Sequence, residues 1–474
     1  MFNSSDSHSP RTEPSPGVSR RKFVAMAGSA AAGLTLTSWP LGFAPRAEAQ
    51  GDSRSLVCIF LAGGADSFNM YLPLNNDVAD QDYATYQRTR GAFAVPAGDI
   101  RPIGDGSFGL HPLLGSMSGI AASGRLAVVT NVGPLDRPTT KADFLAQRSL
   151  PTSLFAHDAQ QKLWQTGQST LTSDRGWGGS VVAATAAGAP LAPSFSIAGS
   201  TTWLSSTQAS YSRLSATVAI QRLAGYDPTM WRWFPSLSGV APVLATARAD
   251  AAASVSRLDQ AAARSIGQSI QTTDALQEAT ADSAANDVGM EGIDANRLAR
   301  QLEQVARLIK NREQLGMPRQ VFFVRMGGWD THGDQAAILP VLLSQLDQAI
   351  GSFQGALDGL GVSDSVTTFT ASDFGRTLTI NGDGTDHGWG GHAFVMGGAV
   401  NGGAYGTFPS YSIENNPDDV GENQRDFAGR LIPSTSVAQY SATLARWMGL
   451  DDAQLDSALP PLRNFATRDL GFLR

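Results

Sequence analysis

The chain has 474 residues, a formal net charge of −7 and a single cysteine, Cys58. The acidic balance gives no reason to expect a nucleic acid partner, and one cysteine excludes an intrachain disulfide framework. After removal of a leader, about 425 residues would remain, enough to bury a large core in one elaborated domain or two. Cys58 lies in an apolar run, which predicts a buried core residue and not a nucleophile.

The first residues of the chain are rich in Ser and Pro, which predicts a disordered N-terminus. An export signal is predicted to follow it, and the two together span residues 1–49. Arg20 and Arg21 precede a mildly apolar stretch of small residues that ends near an Ala-Glu-Ala cleavage signal at 47–49. Paired arginines in this position are typical of twin-arginine export. A transmembrane anchor is the alternative, but Gly and Pro interrupt the stretch. We therefore expect a periplasmic or extracellular protein that meets the twin-arginine translocase during export and has no stable membrane span.

Five short apolar runs in the remaining sequence predict buried strands. Each is rich in β-branched or aromatic residues and bounded by Gly or polar residues: 56–61, 125–131, 320–326, 365–370 and 393–396. Apolar residues recur at helical spacing over 298–309, 339–360 and 437–447. Strands that are apolar on both faces and alternate with helices predict an α/β fold, with a mostly parallel sheet and helices on both faces.

One segment, about 241–294, differs in composition from the rest of the predicted domain. It is rich in Ala, Ser, Gln and Asp, and its apolar stripe is thin. We interpret it as a helical insertion, a lid or an interaction surface, within a single α/β domain spanning 50–474.

Four polar, Gly-rich motifs adjoin the predicted strands. Three follow a strand directly, at 62–69, 327–332 and 371–377, and one, at 381–392, precedes the last strand. Because the carboxyl ends of parallel strands share one edge of a sheet, and ligands bind there, we expect these motifs to converge.

The motifs are rich in carboxylates and imidazoles, the ligand types that divalent ions prefer. The candidate metal ligands are Asp66, Asp330, His332, Asp373, Asp386, His387 and His392. Zinc, manganese or calcium is the predicted ion. The planar guanidinium of Arg376 would suit a phosphate or sulfate anion. Ser67 is a candidate nucleophile, with Thr139, Thr140 or a water molecule as alternatives.

Each motif also has a purely structural interpretation. Asp66 would then cap a helix or a turn, 330–332 would form a loop hydrogen-bond network, and 384–388 would be a Gly-rich loop with buried polar contacts. His111 and His157 lie outside these motifs, and we interpret both as making structural contacts.

Together with Leu-Phe-Ala-His-Asp-Ala-Gln-Gln at 154–161, these motifs resemble one family over nearly the whole mature chain. It is the twin-arginine-exported family known as domain of unknown function 1501. That family is distantly similar to the alkaline phosphatase and sulfatase superfamily, which implies an alkaline-phosphatase-like sheet with two metal ions at its strand ends. The resemblance implies Asp66 as the first ligand, Asp330 with His332 as the second group, Asp373 as the third, and His387 or His392 as the last.

The sequence departs from the superfamily pattern at three points. Phe374 stands where the pattern has a paired histidine, and Ala156 stands where many family members have a serine. The Cys-x-Pro-x-Arg motif is absent, which excludes a formylglycine sulfatase.

Two functions from different classes follow from these observations. The first is an exported, metal-dependent hydrolase of phosphate or sulfate esters, acting on an anionic small molecule or a polysaccharide ester. The alternative is a catalytically degenerate member that serves as a cell-surface or extracellular binding or assembly protein.

Overall fold

The centre of the fold is an apolar strand whose two faces are both buried. In the computed structural model, which describes residues 53–75, 78–186, 191–217, 220, 226, 228–282, 286–421 and 428–474, this strand is β1 (Arg54–Leu61). Val57 and Ile59 belong to one apolar cluster, and Cys58 and Phe60 belong to another on the opposite face. Successive side chains of a strand point to opposite faces, so β1 anchors a core on each side of the sheet. Burial also raises the pKa of the Cys58 thiol, as expected for a core residue and not a reactive one.

The other strands vary from two to eight residues in length. They are β2 (Tyr71–Pro73), β3 (Arg101–Ile103), β4 (Phe108–Leu110), β5 (Leu126–Gly133), β6 (Ser194–Ser196), β7 (Ser212–Arg213), β8 (Arg319–Met326), β9 (Val366–Ser372), β10 (Gly391–Met396), β11 (Gly403–Tyr405) and β12 (Thr435–Ser436).

The main sheet is mostly parallel. Its order is β11-β5-β10-β9-β1-β8-β6-β7, with β12 also paired to β5. Among the described strands of this sheet, β10 alone runs antiparallel to its neighbours, β5 and β9. A small antiparallel sheet, β2-β4-β3, lies apart from it. The five predicted strands are all present, as β1, β5, β8, β9 and β10.

Helices follow the strands at many of the connections. Their bounds are α1 (Tyr83–Arg90), α2 (Gly115–Ala122), α3 (Lys141–Leu145), α4 (His157–Thr166), α5 (Trp177–Thr185), α6 (Pro228–Trp231), α7 (Val240–Ala253), α8 (Arg257–Ala279), α9 (Arg297–Lys310), α10 (Gln335–Gly359), α11 (Val437–Trp447) and α12 (Asp452–Ala458).

The helices cover both faces of the main sheet. Apolar residues of α2, α9 and α10 share one core cluster, and those of α4, α5, α11 and α12 share the other. The three predicted helices are confirmed as α9, α10 and α11. The predicted α/β class, a mostly parallel sheet with helices on both faces, is confirmed as well.

The helix α10 is long and apolar enough to cross a membrane by length and composition alone. Leu343, Leu346 and Leu357 on one of its faces are buried in the core cluster that includes β1. The core helix of a folded domain satisfies the same length and composition test, so α10 is weak evidence for a membrane span.

The chain divides into two units, one formed by residues 1–47 and 224–263 and the other by the rest. The described part of the first unit is helical, with α6, α7 and the beginning of α8. The second unit contains both sheets and all the candidate site residues. The predicted insertion at 241–294 falls mainly on α7 and α8, although the domain boundaries themselves stay a prediction. The predicted export signal lies outside the described residues.

Candidate metal centre

Loops that are distant in sequence meet at one edge of the main sheet. They bring together seven side chains: Asp330 and His332 after β8, Asp373 and Arg376 after β9, Asp386 and His387 before β10, and His157 at the start of α4. Because β10 runs antiparallel to β9, its first residues lie at the edge where β1, β8 and β9 end. The direction of β10 therefore explains how a motif that precedes a strand can join motifs that follow one.

Asp330 is the hub of this cluster. Its Oδ1 lies 2.9 Å from Nη1 of Arg376, 3.1 Å from Nε2 of His332 and 3.2 Å from Nε2 of His387. Its Oδ2 lies 3.3 Å from Nε2 of His157. Partial burial raises the pKa of Asp330, but the hydrogen bond and charge of Arg376 outweigh this, and the net pKa lies below the ordinary value. The side chain is therefore a carboxylate at neutral pH.

Two of the histidines are oriented by acceptors at Nδ1. His157 Nδ1 lies 2.7 Å from Oδ2 of Asp373, and His387 Nδ1 lies 2.7 Å from the carbonyl oxygen of Phe155. A carboxylate or a carbonyl oxygen can only accept, so both Nδ1 atoms carry a hydrogen, and in a neutral ring Nε2 is then the nitrogen with the lone pair. Burial lowers the pKa of His387, and the charge of Arg376 adds to this effect, so the ring is held neutral.

His332 has the same arrangement. Its Nδ1 lies 2.8 Å from Oδ1 of Asp386 and carries a hydrogen, so Nε2 faces the cluster and has the lone pair when the ring is neutral. That Nε2 lies 2.8 Å from Nε2 of His387. Two lone pairs at this distance repel each other unless a proton or a cation lies between them. An imidazole whose Nδ1–H is held by a carboxylate or a carbonyl is the arrangement typical of metal-binding histidines.

Three of these residues meet the distance requirement for a shared ion. One ligand atom from each of His157, Asp330 and His387 lies within 4.8 Å of the others. Nε2 of His332 lies 3.1 Å from Asp330 Oδ1 and 2.8 Å from His387 Nε2, so it is close enough to join them. The side chains of His157, Asp330 and His387 are 32%, 44% and 20% exposed, while Nε2 of His157 is itself buried and has no hydrogen-bond partner among the described residues. Nitrogen and oxygen ligands of this kind fit a divalent ion such as zinc or manganese.

Asp373 supports the cluster from beneath. It is fully buried, and its Oδ2 accepts from Gln161 Nε2 at 2.9 Å in addition to His157. Its Oδ1 accepts the N–H of Gly63 at 3.1 Å. A Cβ on Gly63, where φ is +124°, would lie 2.4 Å from the backbone nitrogen of Asp330, so only glycine permits this approach of two loops. Asp373 was predicted to be a ligand, but its position is that of an outer partner that orients His157.

The surroundings of His387 are also specialised. Phe155, which supplies the carbonyl, has a left-handed backbone with φ of +70°, a conformation that costs energy for a residue other than glycine. The guanidinium carbon of Arg430 lies 4.3 Å from the Phe155 ring centroid, and Arg430 Nε donates to the His387 carbonyl at 2.7 Å. Phe374, where the family pattern has a histidine, packs its ring against the rings of His157 and His387 at 4.9 and 4.5 Å.

Arg376 lies beneath Asp330 and not in the open site. It is fully buried. Besides Asp330, it donates from Nη2 to the Thr385 carbonyl at 2.5 Å and from Nε to Thr385 Oγ1 at 3.2 Å. These contacts correct the predicted role, because a buried guanidinium with these partners does not meet an anion from solvent. Arg376 positions Asp330 instead.

Asp66 and Ser67 are likewise buried away from the open cluster. Asp66 Oδ2 pairs with the guanidinium of Arg90 and accepts from Gln335 Nε2 at 2.6 Å. Ser67 Oγ accepts the backbone N–H of His392 at 2.7 Å. Both residues are at most 2% exposed. Asp66 was predicted to be a metal ligand and Ser67 an accessible nucleophile. Their burial and their hydrogen-bond partners do not fit these roles.

His392 is a core residue with both ring nitrogens occupied. Nδ1 accepts the N–H of Asn131 at 3.2 Å, and Nε2 lies 3.1 Å from the Tyr411 hydroxyl. The ring stacks on Phe408 and meets the edge of Phe68. The predicted ligand role is therefore corrected to a structural one.

Burial of His392 makes a prediction about acid stability. Because burial lowers its pKa from 6.5 to about 3, the unfolded chain binds a proton between these values while the folded chain does not. Stability is then lost as the pH falls below about 6.5, by up to about 1.4 kcal/mol per pH unit. Urea unfolding at pH 7 and pH 5 should give a free energy that falls less steeply in His392→Gln than in the wild type. Equal slopes in the two proteins would contradict the prediction.

His157 lies outside the motifs that predict the site, yet it belongs to the cluster. Its interpretation as a structural contact is wrong in part, since Nδ1 does bind Asp373 but Nε2 faces Asp330. No strand end precedes His157, so the rule that identified the other motifs did not apply to it. The signal that could have identified it is the segment at 154–161, which the family resemblance already included.

Comparisons with known proteins assign the chain to a family, but two solved structures that match it are only distantly similar. No curated protein matches the chain. Among solved structures, a sulfatase named PsFucS1 from Pseudoalteromonas sp. is 11% identical, with 85% of this chain and 69% of that chain covered and a TM-score of 0.33. A protein named Ps i-CgsB, solved in complex with k-i-k-neocarrahexaose, is 8% identical, with 85% and 74% covered and a TM-score of 0.28. Neither likeness is close enough to support an argument about the fold or the function.

The family model is a different case, because it matches residues 53–458 and so includes β1, every loop of the cluster and α4. The chain belongs to the family described as protein of unknown function (DUF1501).

Proposed function

We propose that this protein is an exported, metal-dependent hydrolase that acts on phosphate or sulfate esters. The observation that carries the proposal is the shared orientation of three histidines. His157, His332 and His387 each have Nδ1 held by an acceptor, and each directs Nε2 at the carboxylate of Asp330. Imidazoles that served only as structural contacts would not need this common direction.

The residues of the cluster would divide the work between them. His157, Asp330 and His387 would bind the ion, since one ligand atom from each lies within 4.8 Å of the others. Asp373 and the Phe155 carbonyl would hold the proton on Nδ1 and so keep the imidazoles in the binding orientation. Arg376 would hold Asp330 through its bond to Oδ1. A divalent ion at this position supplies Lewis acidity toward an ester oxygen.

The choice of an anionic ester rests on charge and access. An exposed divalent cation attracts phosphate and sulfate groups, and the partial exposure of the three ligands leaves a face for such a group. Ser67 is buried, and the hydroxyl of Thr140 caps α3 by accepting the N–H of Asp143. We therefore propose that a water molecule, and not a side-chain hydroxyl, attacks the ester.

The second candidate function is a binding or assembly protein that keeps one metal without catalysis. It is favoured by the buried Asp66–Arg90 pair, which removes a carboxylate from the site. The candidate nucleophiles favour it as well, since Ser67 is buried and the hydroxyls of Thr139 and Thr140 form hydrogen bonds to nearby residues of the chain.

The test is metal content and turnover of the protein purified from a host that exports it. We expect bound metal, hydrolysis of 4-nitrophenyl phosphate or 4-nitrophenyl sulfate, and loss of both in Asp330→Ala, His387→Ala. The matched control is His111→Ala, a histidine outside the cluster whose Nδ1 accepts the Leu113 N–H. Bound metal without turnover of either ester would favour the binding function, and a metal-free wild type would contradict the proposal.

A further inference from the structure

Asp66 is a carboxylate at the end of a central strand, and it is 1% exposed. Its Oδ2 accepts two hydrogen bonds, from the guanidinium of Arg90 and from Gln335 Nε2. Its Oδ1 is buried and accepts no hydrogen bond within the described part of the chain. A buried carboxylate needs a positive partner, so a cation must neutralise Asp66 at this position.

Arg90 is built into the fold as that partner. It is the last residue of α1 and is fully buried. While Nη2 pairs with Asp66, Nη1 donates to the carbonyls of Thr377 at 2.9 Å and Leu378 at 3.3 Å. These carbonyls lie directly after Arg376 in the chain. The guanidinium of Arg90 is therefore held by Asp66 through Nη2 and by this segment through Nη1.

A second guanidinium lies on the other side of the same hydrogen-bond network. Gln335 Oε1 accepts from Thr385 Oγ1 at 2.7 Å, and Thr385 Oγ1 accepts from Nε of Arg376 at 3.2 Å. Arg376 in turn binds Asp330. Because Asp330 neutralises Arg376, the guanidinium that a divalent ion at Asp66 would meet directly is that of Arg90, and like charges repel strongly in a buried region.

The ligand supply at Asp66 is also poor. Among the described residues, the side chains whose ligand atoms lie close enough to share an ion are His157, Asp330 and His387, with Nε2 of His332 2.8 Å from that of His387, and Asp66 is not among them. An ion at Asp66 could bind only Oδ1, because the other carboxylate oxygen, Oδ2, is already paired with the guanidinium of Arg90.

From these contacts we infer that the guanidinium of Arg90 is the permanent cation of the Asp66 position, and that the centre binds one metal ion and not two. This inference rests on the proposed metal-dependent function, and it gives that function its ion count. The single ion is the one held by His157, Asp330 and His387.

The test is the number of metal ions bound to the full-length exported protein. Protein stripped with a chelator is titrated with zinc chloride in a calorimeter, and the metal content is checked by elemental analysis. We expect one equivalent per chain in the wild type and one equivalent in Asp66→Asn. The double variant Asp66→Asn, Arg90→Met removes both charges, so it avoids an unpaired buried charge and should also bind one equivalent.

Two results would overturn the inference while leaving the proposed function intact. One is two equivalents in the wild type with one lost in Asp66→Asn, and the other is one equivalent in the wild type with none in Asp66→Asn or in the double variant. A wild type that binds no zinc overturns the proposed function together with this inference. Asp330→Ala, His387→Ala provides the comparison in which the bound equivalent is lost.

Discussion

Replacing His157 with alanine should remove tight metal binding from the exported protein. The replacement deletes Nε2, which lies 3.3 Å from Oδ2 of Asp330, and it leaves Asp373 without the imidazole that it orients. Loss of an outer partner of a metal ligand costs about 10- to 100-fold in affinity, and loss of the ligand itself should cost more. Zinc affinity of the stripped protein, measured by calorimetry, is the direct readout.

Cobalt gives a second readout that a structural role would not change. Co²⁺ in place of zinc should give a visible absorption spectrum that reports its ligands, and this spectrum should change in His157→Ala. Asp158→Ala is the matched control, since Asp158 is the next residue of α4 and is exposed. If His157→Ala keeps wild-type zinc affinity and the same cobalt spectrum, His157 makes only structural contacts, which is the role that the sequence alone predicts.

Replacing Arg90 with methionine should give one of the largest losses of stability available in this chain. Arg90 and Asp66 are 0% and 1% exposed, so water cannot solvate the carboxylate that remains. Breaking a buried ion pair by removing one partner costs about 3–5 kcal/mol. Urea unfolding at pH 7 should show this loss in the free energy of unfolding.

The double variant separates the charge effect from the effect of lost packing. Removing both charges, in Asp66→Asn, Arg90→Met, should recover most of the loss, because no uncompensated charge is left in the core. Asp358→Asn is a suitable comparison, since its bond to Arg125 is partly exposed and should contribute about 0–1 kcal/mol. A double variant as unstable as Arg90→Met would show that packing and hydrogen bonds to Thr377 and Leu378, and not charge, account for the loss.

The strands and helices of this protein could be predicted because the burial of each one produces a pattern of apolar residues within a short stretch of sequence. In β1, β5 and β9 nearly every residue is buried, and a short run that is apolar on both faces is typical of a strand covered by helices on both sides. The helix α9 places Leu298, Leu302, Val305 and Ile309 on one buried face, and this spacing is visible in the sequence.

The candidate site could be predicted only in part. The motifs at 327–332 and 381–392 supplied Asp330, His332 and His387, which the structure brings into contact. The same reasoning grouped Asp66 and His392 with them, because residue type and position at a strand end cannot show which partner a side chain meets. Asp66 meets Arg90, and His392 meets Tyr411.

The sequence by itself determined the α/β class, the buried strands and the loops that carry the carboxylates and imidazoles, since these depend on neighbours along the chain. The tertiary structure decided the direction of β10, which carries His387 to the edge where β8 and β9 end. It also decided that His157 joins Asp373 across 216 positions and that Arg376 lies buried beneath Asp330. Contacts of this kind depend on how distant segments pack together, and no local pattern of residues specifies that packing.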